Sequence, residues 1–313
     1  GVSGQDGSYL AKLLLEKGYV VCGTSRDAQL STFNNLKYLN ILDCIQLKSM
    51  STTDFRSIFQ LIRKFEPDEI YNLAGQTSVG LSFEQPVETM ESIVTSTLNI
   101  LEAIRLIGRE IKFYNAGSGE CFGDSGGEES DENTLFKPLS PYAVAKSAAF
   151  WLVNSYRISY DLFAASGILF NHESILRPKR FVTKKIISTA CRIANGSKEK
   201  LKLGNIDIER DWGWAPEYVE AMWLIMQQNI PEDFVIASGK SNTLRKFIEI
   251  VFEKLDLNYL DHVTHSNNLL RPSELKFSRG NPTKAKVKLN WSAKKSLDEL
   301  IEILITDEQK YNN

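Results

Sequence analysis

The chain has 313 residues, which is enough to bury one large core or a core with a smaller lobe. Lysine and arginine total 37 against 39 acidic residues, so a net charge of -2 favours neither nucleic acid nor an anionic membrane as a partner. No apolar run approaches the roughly 20 residues of a membrane-spanning helix. The four cysteines lack Cys-x-x-Cys spacing, which is typical of buried thiols in a reducing compartment and predicts a cytoplasmic protein.

The chain opens with a glycine-rich turn. Gly1, Gly4 and Gly7 are spaced three residues apart and lead into a helix that stops at Gly18. Glycines let the backbone approach a pyrophosphate, and a helix N-terminus offers free N–H groups and the positive end of its dipole. Such a turn normally follows a strand, so we expect that the first strand is missing from the N-terminus. The triplet alone is weak evidence, but the strand predicted at 19–24 strengthens it.

Strands and helices alternate over the first half of the chain. Strands are predicted at 19–24, 44–48, 69–74, 111–116 and 162–169, with helices at 53–65, 87–107 and 141–160. This order predicts an α/β fold with a Rossmann-type doubly wound parallel sheet. Beyond residue 171 the pattern is less regular, with helices near 181–195, 215–229, 243–255 and 295–309. We expect residues 1–170 to form the cofactor-binding domain and 171–313 mainly a smaller substrate-binding lobe, with 215–255 returning to the first domain.

Four reactive side chains surround the strand at 111–116. Ser118 and Glu120 follow its end, where ligands of open α/β sheets bind. Tyr142 and Lys146 are four residues apart and share one face of a helix, where the ammonium can lower the pKa of the phenol. Together these groups suit redox chemistry coupled to elimination. His262 and His265 have no nearby cysteine, so we expect no metal site.

Dispersed motifs connect the chain to a known family. The most specific are the segments 4–10, 170–174, 181–186, 203–205, 210–213, 218–223, 232–237 and 271–274. With them, the chain resembles the nucleotide-sugar 4,6-dehydratases of the extended short-chain dehydrogenase/reductases, most closely those acting on GDP-mannose. The resemblance covers nearly the whole chain. It implies a hydro-lyase that moves a hydride from C4 to C6 of the sugar with loss of water, using Tyr142 with Lys146 at C4, and Glu120 with Ser118 at C5 and C6.

The resemblance also implies the binding residues. Arg26 follows the second predicted strand, where an arginine accepts the ribose 2′-phosphate of NADP, so NADP is favoured over NAD although Asp27 lies beside it. The implied cofactor residues are Gly1, Gly4, Gln5, Asp6, Gly7, Arg26, Asn72, Ala74, Gly75, Tyr142, Lys146, His172 and Arg177. The implied substrate residues are Asn171, Lys185, Arg210, Arg271 and Glu274.

Some features depart from the family or leave alternatives open. Gly117 and Gly119 flank Ser118 where the dehydratases usually carry hydroxyl side chains, so lowered activity or shifted specificity is expected unless neighbours fix the backbone.

The nearer alternative is another nucleotide-sugar dehydratase, epimerase or reductase. The farther one is a non-catalytic cofactor-binding sensor, which would be expected to have lost Tyr142 or Lys146. The family implies a homodimer or homotetramer, and Trp151 is expected either in the core or in a helix-to-helix contact between subunits.

Overall fold

The computed structural model describes residues 1–312, and its first half alternates helices and strands as predicted. The helices are α1 (Gln5–Glu16), α2 (Asn34–Tyr38), α3 (Phe55–Phe65), α4 (Val79–Glu84), α5 (Pro86–Met90), α6 (Ser96–Ile107) and α7 (Pro141–Tyr160). The strands are β1 (Cys22–Ser25), β2 (Gln46–Ser49), β3 (Glu69–Asn72), β4 (Lys112–Ala116) and β5 (Ala164–Leu169). A π-helical turn at Glu91–Thr95 joins α5 to α6, so the single helix predicted at 87–107 is interrupted.

Short strands separate the helices of the second half. The elements are β6 (Asn171–Glu173), α8 (Val182–Ala194), β7 (Leu201–Leu203), β8 (Glu209–Trp214), α9 (Ala215–Met226), β9 (Phe234–Ile236), β10 (Ser241–Thr243), α10 (Leu244–Glu253), β11 (Val263–His265), β12 (Phe277–Ser278), α11 (Thr283–Leu289) and α12 (Leu297–Asn312). Helices α8, α9, α10 and α12 lie within a few residues of their predicted positions. The strands are too short for hydrophobic alternation to reveal them.

The main sheet is parallel and runs in the order β3, β4, β5, β9. Strand β9 therefore returns to the sheet after the chain has passed through β6 to β8. Strands β1 and β2 form a second parallel pair, and an apolar cavity of about 690 Å³ lies between β1 and β3. Parallel strands connected by helices confirm the predicted α/β fold.

Helix α7 carries two of the predicted catalytic residues, and its start is well defined. Ser140 has extended backbone angles, and its hydroxyl accepts a hydrogen bond from Ala143 N at 3.1 Å. Pro141 occupies the first helical turn, where its missing N–H costs nothing. Tyr142 and Lys146 consequently lie in the first two turns of α7, on the face that packs against the sheet and is buried.

A second sheet supports the other side of the site. Strand β8 pairs with β10 in antiparallel orientation and with β6 and β12 in parallel orientation. Strands β7 and β11 form a separate parallel pair. Helices α8, α10 and α12 pack together beside it around Ile186, Phe247 and Leu304. Trp212 lies against Phe247 with ring centroids 5.4 Å apart, so it packs in the core. Among the helices of residues 1–312, none has the length and apolar character needed to cross a bilayer.

Candidate active site

Ser118 and Glu120 lie where the chain leaves β4. The Ser118 side chain is 7% exposed, and its hydroxyl accepts a hydrogen bond from Glu120 N at 3.3 Å. A short 3₁₀ turn, Gly119–Phe122, follows and is capped by this hydroxyl. The turn brings Glu120 back over the carboxyl end of the sheet, as the sequence predicted from its position after the strand.

Tyr142 and Lys146 are both buried beside this turn. The Lys146 ammonium donates a hydrogen bond to Ala116 O at 2.7 Å and lies 5.8 Å from the centre of the Tyr142 ring. Burial lowers the pKa of Lys146 to about 8. Burial also raises the pKa of Tyr142, and a hydrogen bond with the Ser118 hydroxyl opposes this only in part. The net pKa of this phenol is therefore raised and not lowered as predicted, because desolvation of the phenol dominates.

Glu120 faces a cluster of charged residues, Arg210 of β8 with Arg271 and Glu274 of the loop before β12. Burial raises its pKa, and the positive charges of Arg210 and Arg271 oppose this effect. Glu274 accepts hydrogen bonds from Arg210 at 3.1 Å and from Arg271 at 3.3 Å. Arg210 is held further by the carbonyls of Glu209 and Leu275, both at 2.9 Å. Three predicted substrate residues thus lie together next to the predicted base.

The other two predicted substrate residues are placed differently. Asn171 begins β6 and pairs with Trp212 of β8, so it lies at the junction of the two sheets. The Lys185 ammonium donates to Lys202 O on β7 at 2.6 Å. Lys185 is therefore tied to the backbone of the lobe in this structure, rather than to the cluster around Glu120.

The glycine-rich turn and α1 provide a binding place for an anion. No side chain caps α1 at Gly4, so the N–H groups of its first turn are available to a ligand. A Cβ at Gly7 would lie 2.1 Å from Gly1 O, and a Cβ at Gly1 would lie 2.5 Å from Leu73 O. The backbone segments are thus packed so closely that only glycine fits. An uncapped helix with this turn suits the pyrophosphate of a dinucleotide.

The predicted cofactor residues near β6 make two sets of contacts. Gln5 and Asp6 contact His172, whereas Arg177 contacts its own neighbours in the chain. Asp6 accepts a hydrogen bond from His172 Nε2 at 2.9 Å, and the Gln5 amide donates to His172 O at 3.2 Å. The Arg177 guanidinium lies 3.1 Å from the carboxylate of Glu173 and 3.8 Å from the centre of the Phe181 ring. These side chains join the glycine-rich turn to β6.

The remaining predicted cofactor residues lie at the ends of β1 and β3. Asn72 is buried, and its amide donates to Thr97 Oγ1 at 3.2 Å and to Asn115 Oδ1 at 3.3 Å. Its Oδ1 accepts from Ala74 N at 3.4 Å, which shapes the turn leading to Gly75. Gly75 has a φ of 125°, a conformation that glycine tolerates best. Arg26 is exposed directly after β1.

The two glycines beside Ser118 are restrained by their neighbours. Gly117 N donates to Gly167 O at 2.8 Å, and a Cβ at Gly117 would approach that oxygen to 3.0 Å. A Cβ at Gly119 would lie 3.0 Å from the ring of Phe170. The expected gain in backbone freedom is therefore limited by tight packing on both residues.

Sequence reasoning missed several residues that support the site. Thr97 and Asn115 hold Asn72, while Ser174 donates to Gln5 Oε1 at 2.8 Å. Tyr218 stacks on His172 with ring centroids 4.6 Å apart. Asn115 precedes the end of β4, and this position alone could have suggested a role at the sheet edge. Ser174 and Tyr218 lie in the motif segments 170–174 and 218–223 but were assigned no role, and Thr97 leaves no signal in the sequence.

Comparisons with known proteins agree with this geometry. A family model described as GDP-mannose 4,6 dehydratase matches residues 1–304. GDP-mannose 4,6 dehydratase 1 of Arabidopsis thaliana is 42% identical over 320 residues, covering 98% of this chain and 88% of that protein. The chain belongs to the GDP-mannose 4,6-dehydratase family. Membership of this family confirms the resemblance that the motifs indicated, and identifies the chain as a nucleotide-sugar dehydratase.

Solved structures support the fold of this GDP-mannose 4,6-dehydratase family member. The UDP-glucose 4-epimerase of Thermotoga maritima, solved with UDP-glucose, has a TM-score of 0.89 and 22% identity, with 100% of this chain and 98% of that chain covered. RMD from Pseudomonas aeruginosa, complexed with NADPH, has a TM-score of 0.82 and 21% identity, with 99% and 97% covered. Both similarities confirm the Rossmann-type architecture.

Proposed function

We propose that this chain converts GDP-mannose to its 4-keto-6-deoxy product with loss of one water, and that Glu120 is the residue that makes it a dehydratase. Glu120 is placed beside Ser118 and Tyr142, and two arginines oppose the effect of burial on its pKa. Oxidation at C4 alone needs the phenol and the ammonium. A carboxylate beside them adds a base for the neighbouring carbon, which an epimerase or reductase does not require.

The first step concerns the C4 hydroxyl of the sugar. Tyr142 acts as the phenolate, whose Oη accepts the proton of this hydroxyl, and the Ser118 hydroxyl holds the tyrosine oxygen in place by a hydrogen bond. Lys146 is positioned by Ala116 O, so its ammonium stays within the same small volume. The positive charge of Lys146 stabilises the phenolate that must form, because the site is buried and has a low effective dielectric constant.

The later steps concern C5 and C6. Once C4 is a ketone, the C5 proton becomes acidic, and the Glu120 carboxylate removes it. The raised pKa of Glu120 makes it a stronger base than an exposed carboxylate, and the two arginines favour its ionised form. The proton then held by the Ser118 and Glu120 pair assists departure of the C6 hydroxyl as water, which leaves a double bond between C5 and C6. C6 then regains a hydride and C5 regains a proton, for which the protonated phenol of Tyr142 is available. The product is a sugar that has lost one water and has no net change in oxidation state.

The chain's residues fit a nicotinamide dinucleotide, which supplies a hydride acceptor that returns the same hydride at the end of the cycle. Gly1, Gly4 and Gly7 with the uncapped N-terminus of α1 hold the pyrophosphate. We propose NADP over NAD because the Asp27 carboxylate already makes a hydrogen bond within its own turn. Its Oδ1 accepts from Gln29 N at 2.9 Å. The exposed guanidinium of Arg26 is then the group available for a 2′-phosphate.

Arg210, Arg271 and Glu274 are proposed to hold the nucleotide part of the substrate. The two guanidinium groups share the Glu274 carboxylate and also face Glu120. Guanidinium groups suit a diphosphate, and Glu274 can accept from a ribose hydroxyl. Asn171 and Lys185 are also proposed to contact the substrate, from the edge of the substrate lobe. Residues 1–170 with the returning strand β9 form the proposed cofactor domain, and the rest mainly the substrate lobe.

We propose a homodimer formed through α6 and α7. These helices expose a set of large apolar side chains: Leu98, Leu106, Val144, Trp151 and Ile158. Trp151 is 59% exposed although it is large and apolar, which is typical of an interaction surface. Sedimentation velocity tests this: Trp151→Glu should yield monomer where the parent chain is dimeric or tetrameric. A monomeric parent chain contradicts the proposal.

The cytoplasmic location predicted from the thiols stays a prediction.

The function is tested by incubating the protein with GDP-mannose and NADP and measuring the mass of the sugar nucleotide. We expect loss of one water without net formation of NADPH. Water loss only from a different nucleotide sugar would retain the chemistry and change the substrate. No loss from any nucleotide sugar would favour the epimerase, reductase or sensor alternatives. For a sensor, Tyr142→Phe should leave cofactor binding and signalling unchanged.

A further inference from the structure

Both ring nitrogens of His172 are close to hydrogen-bond acceptors. Nδ1 lies 2.7 Å from Phe170 O, and Nε2 lies 2.9 Å from Asp6 Oδ2. A carbonyl oxygen can only accept, and an ionised carboxylate can only accept. Neutral imidazole carries one N–H, so it can satisfy only one of these two contacts. The contacts are both made when His172 is an imidazolium.

The charges around this ring agree with that protonation state. Burial alone lowers the pKa of His172, but the Asp6 carboxylate outweighs burial and leaves the pKa above its ordinary value. Burial raises the pKa of Asp6, and His172 together with Gln5 and Arg177 reverses this and lowers it to about 2. The groups facing the ring are Asp6 of α1, Arg177 after β6, which opposes protonation, and the stacked Tyr218 of α9.

The same contacts connect two segments that are far apart in sequence. Besides the Asp6–His172 contact, Gln5 Nε2 donates to His172 O at 3.2 Å, and Ser174 Oγ donates to Gln5 Oε1 at 2.8 Å. Ser174 Oγ also accepts from Leu176 N at 3.1 Å. Three of these hydrogen bonds fix the first residues of α1 to β6 and the turn after it, and the fourth, from Leu176 N, holds Ser174 in place. The pyrophosphate-binding turn cannot move relative to β6 without breaking them.

We propose that Asp6 and His172 form a buried ion pair that positions the glycine-rich turn, so that both are positioning residues rather than direct ligands of the cofactor. This role rests on the proposed function, since its kinetic readout is turnover of GDP-mannose. This role differs from the direct cofactor contacts that the sequence motifs implied for these two side chains.

The ion pair is tested first by NMR on the protein without substrate. The nitrogen shifts of ¹⁵N-labelled histidine report whether both ring nitrogens carry protons, and His172→Gln identifies the signals among the three histidines. We expect His172 to remain doubly protonated well above about pH 6.5, the ordinary pKa of histidine. In Asp6→Asn, which keeps the shape of the side chain, His172 should lose that proton at neutral pH. A neutral His172 at neutral pH in the parent chain would overturn the proposal.

Kinetics and cofactor binding then test the positioning role. Asp6→Asn should lower kcat by roughly 10- to 100-fold, the cost of a small misplacement in an active site, with little change in the KM for GDP-mannose. Asp43→Asn, at an exposed carboxylate, is the control and should match the parent chain. An unchanged kcat in Asp6→Asn contradicts the positioning role.

The NMR result separates this proposal from the proposed function. If the parent chain lacks dehydratase activity but His172 is doubly protonated, the function fails and the ion pair stands. Calorimetric titration with NADP then replaces kcat as the readout, and Asp6→Asn is expected to weaken NADP binding by roughly tenfold because the turn that holds the pyrophosphate is loosened. Unchanged NADP affinity in that case contradicts the positioning role.

Discussion

Replacing Glu120 with Gln should block the reaction after its first step. Glutamine keeps the size and hydrogen-bonding shape of the side chain but cannot remove the C5 proton. Loss of a general base slows a reaction by roughly 10²- to 10⁴-fold, or about 3–5 kcal/mol in the barrier. The upper part of this range is expected here, because among the described residues near Glu120 the charged neighbours are two arginines and another carboxylate, and the arginines are no substitute base. Oxidation at C4 should persist, since Tyr142 and Lys146 are unchanged.

The assay separates these two steps. Rapid mixing of Glu120→Gln with GDP-mannose and NADP should show reduced nicotinamide accumulating on the enzyme, because the hydride is taken from C4 and is not returned. Exchange of the C5 hydrogen with solvent deuterium should be abolished. Glu128→Gln, at an exposed carboxylate of the same loop, should behave as the parent chain. Turnover of Glu120→Gln within tenfold of the parent, or C5 exchange that persists, would refute the role of Glu120.

Three further changes test other parts of the site. Tyr142→Phe should reduce turnover by roughly 10²-fold or more while NADP still binds, as measured by calorimetry; turnover near the parent rate argues against Tyr142 as the base. Arg26→Ala should weaken NADP by roughly 10- to 100-fold and leave NAD affinity unchanged, since a charge-assisted contact contributes about 1.5–3 kcal/mol. Burial raises the pKa of Asp211 to about 6, so the folded protein holds this proton more tightly than the unfolded chain. Stability relative to Asp211→Asn should therefore fall by up to about 3 kcal/mol as pH rises from about 4 through 6, measured by urea unfolding, and a flat difference contradicts the pKa shift.

Local patterns in the sequence predict much of the first half of the fold. The alternation of apolar runs and helical periodicity gives β3, β4, β5 and α7, because each of these elements has its own local signal. Ser140 followed by Pro141 predicts the start of α7, and the spacing of Tyr142 and Lys146 then places both on one face. The π-helical turn at Glu91–Thr95 has no such signal and was missed.

The charged clusters depend on contacts that cross the fold. Asp6 and His172 are 166 residues apart, and the pairing of Arg210 with Glu274 spans 64 residues. Such pairs are set by how the lobe packs on the sheet, which hydrophobic periodicity does not describe. The contact of Lys146 with Ala116 O likewise depends on the distance between α7 and β4. The sequence motifs placed these residues near the site, while only the structure shows which of them touch.

The most direct test of the central claim follows the hydride itself. GDP-mannose labelled with deuterium at C4 is incubated with the protein and unlabelled NADP, and the product is examined by NMR and mass spectrometry. The account predicts a product lighter by one water in which the deuterium is found at C6, because the same hydride returns to the sugar. Deuterium found in released NADPH, or retained at C4 of the product, would contradict internal hydride transfer as the reaction of this chain.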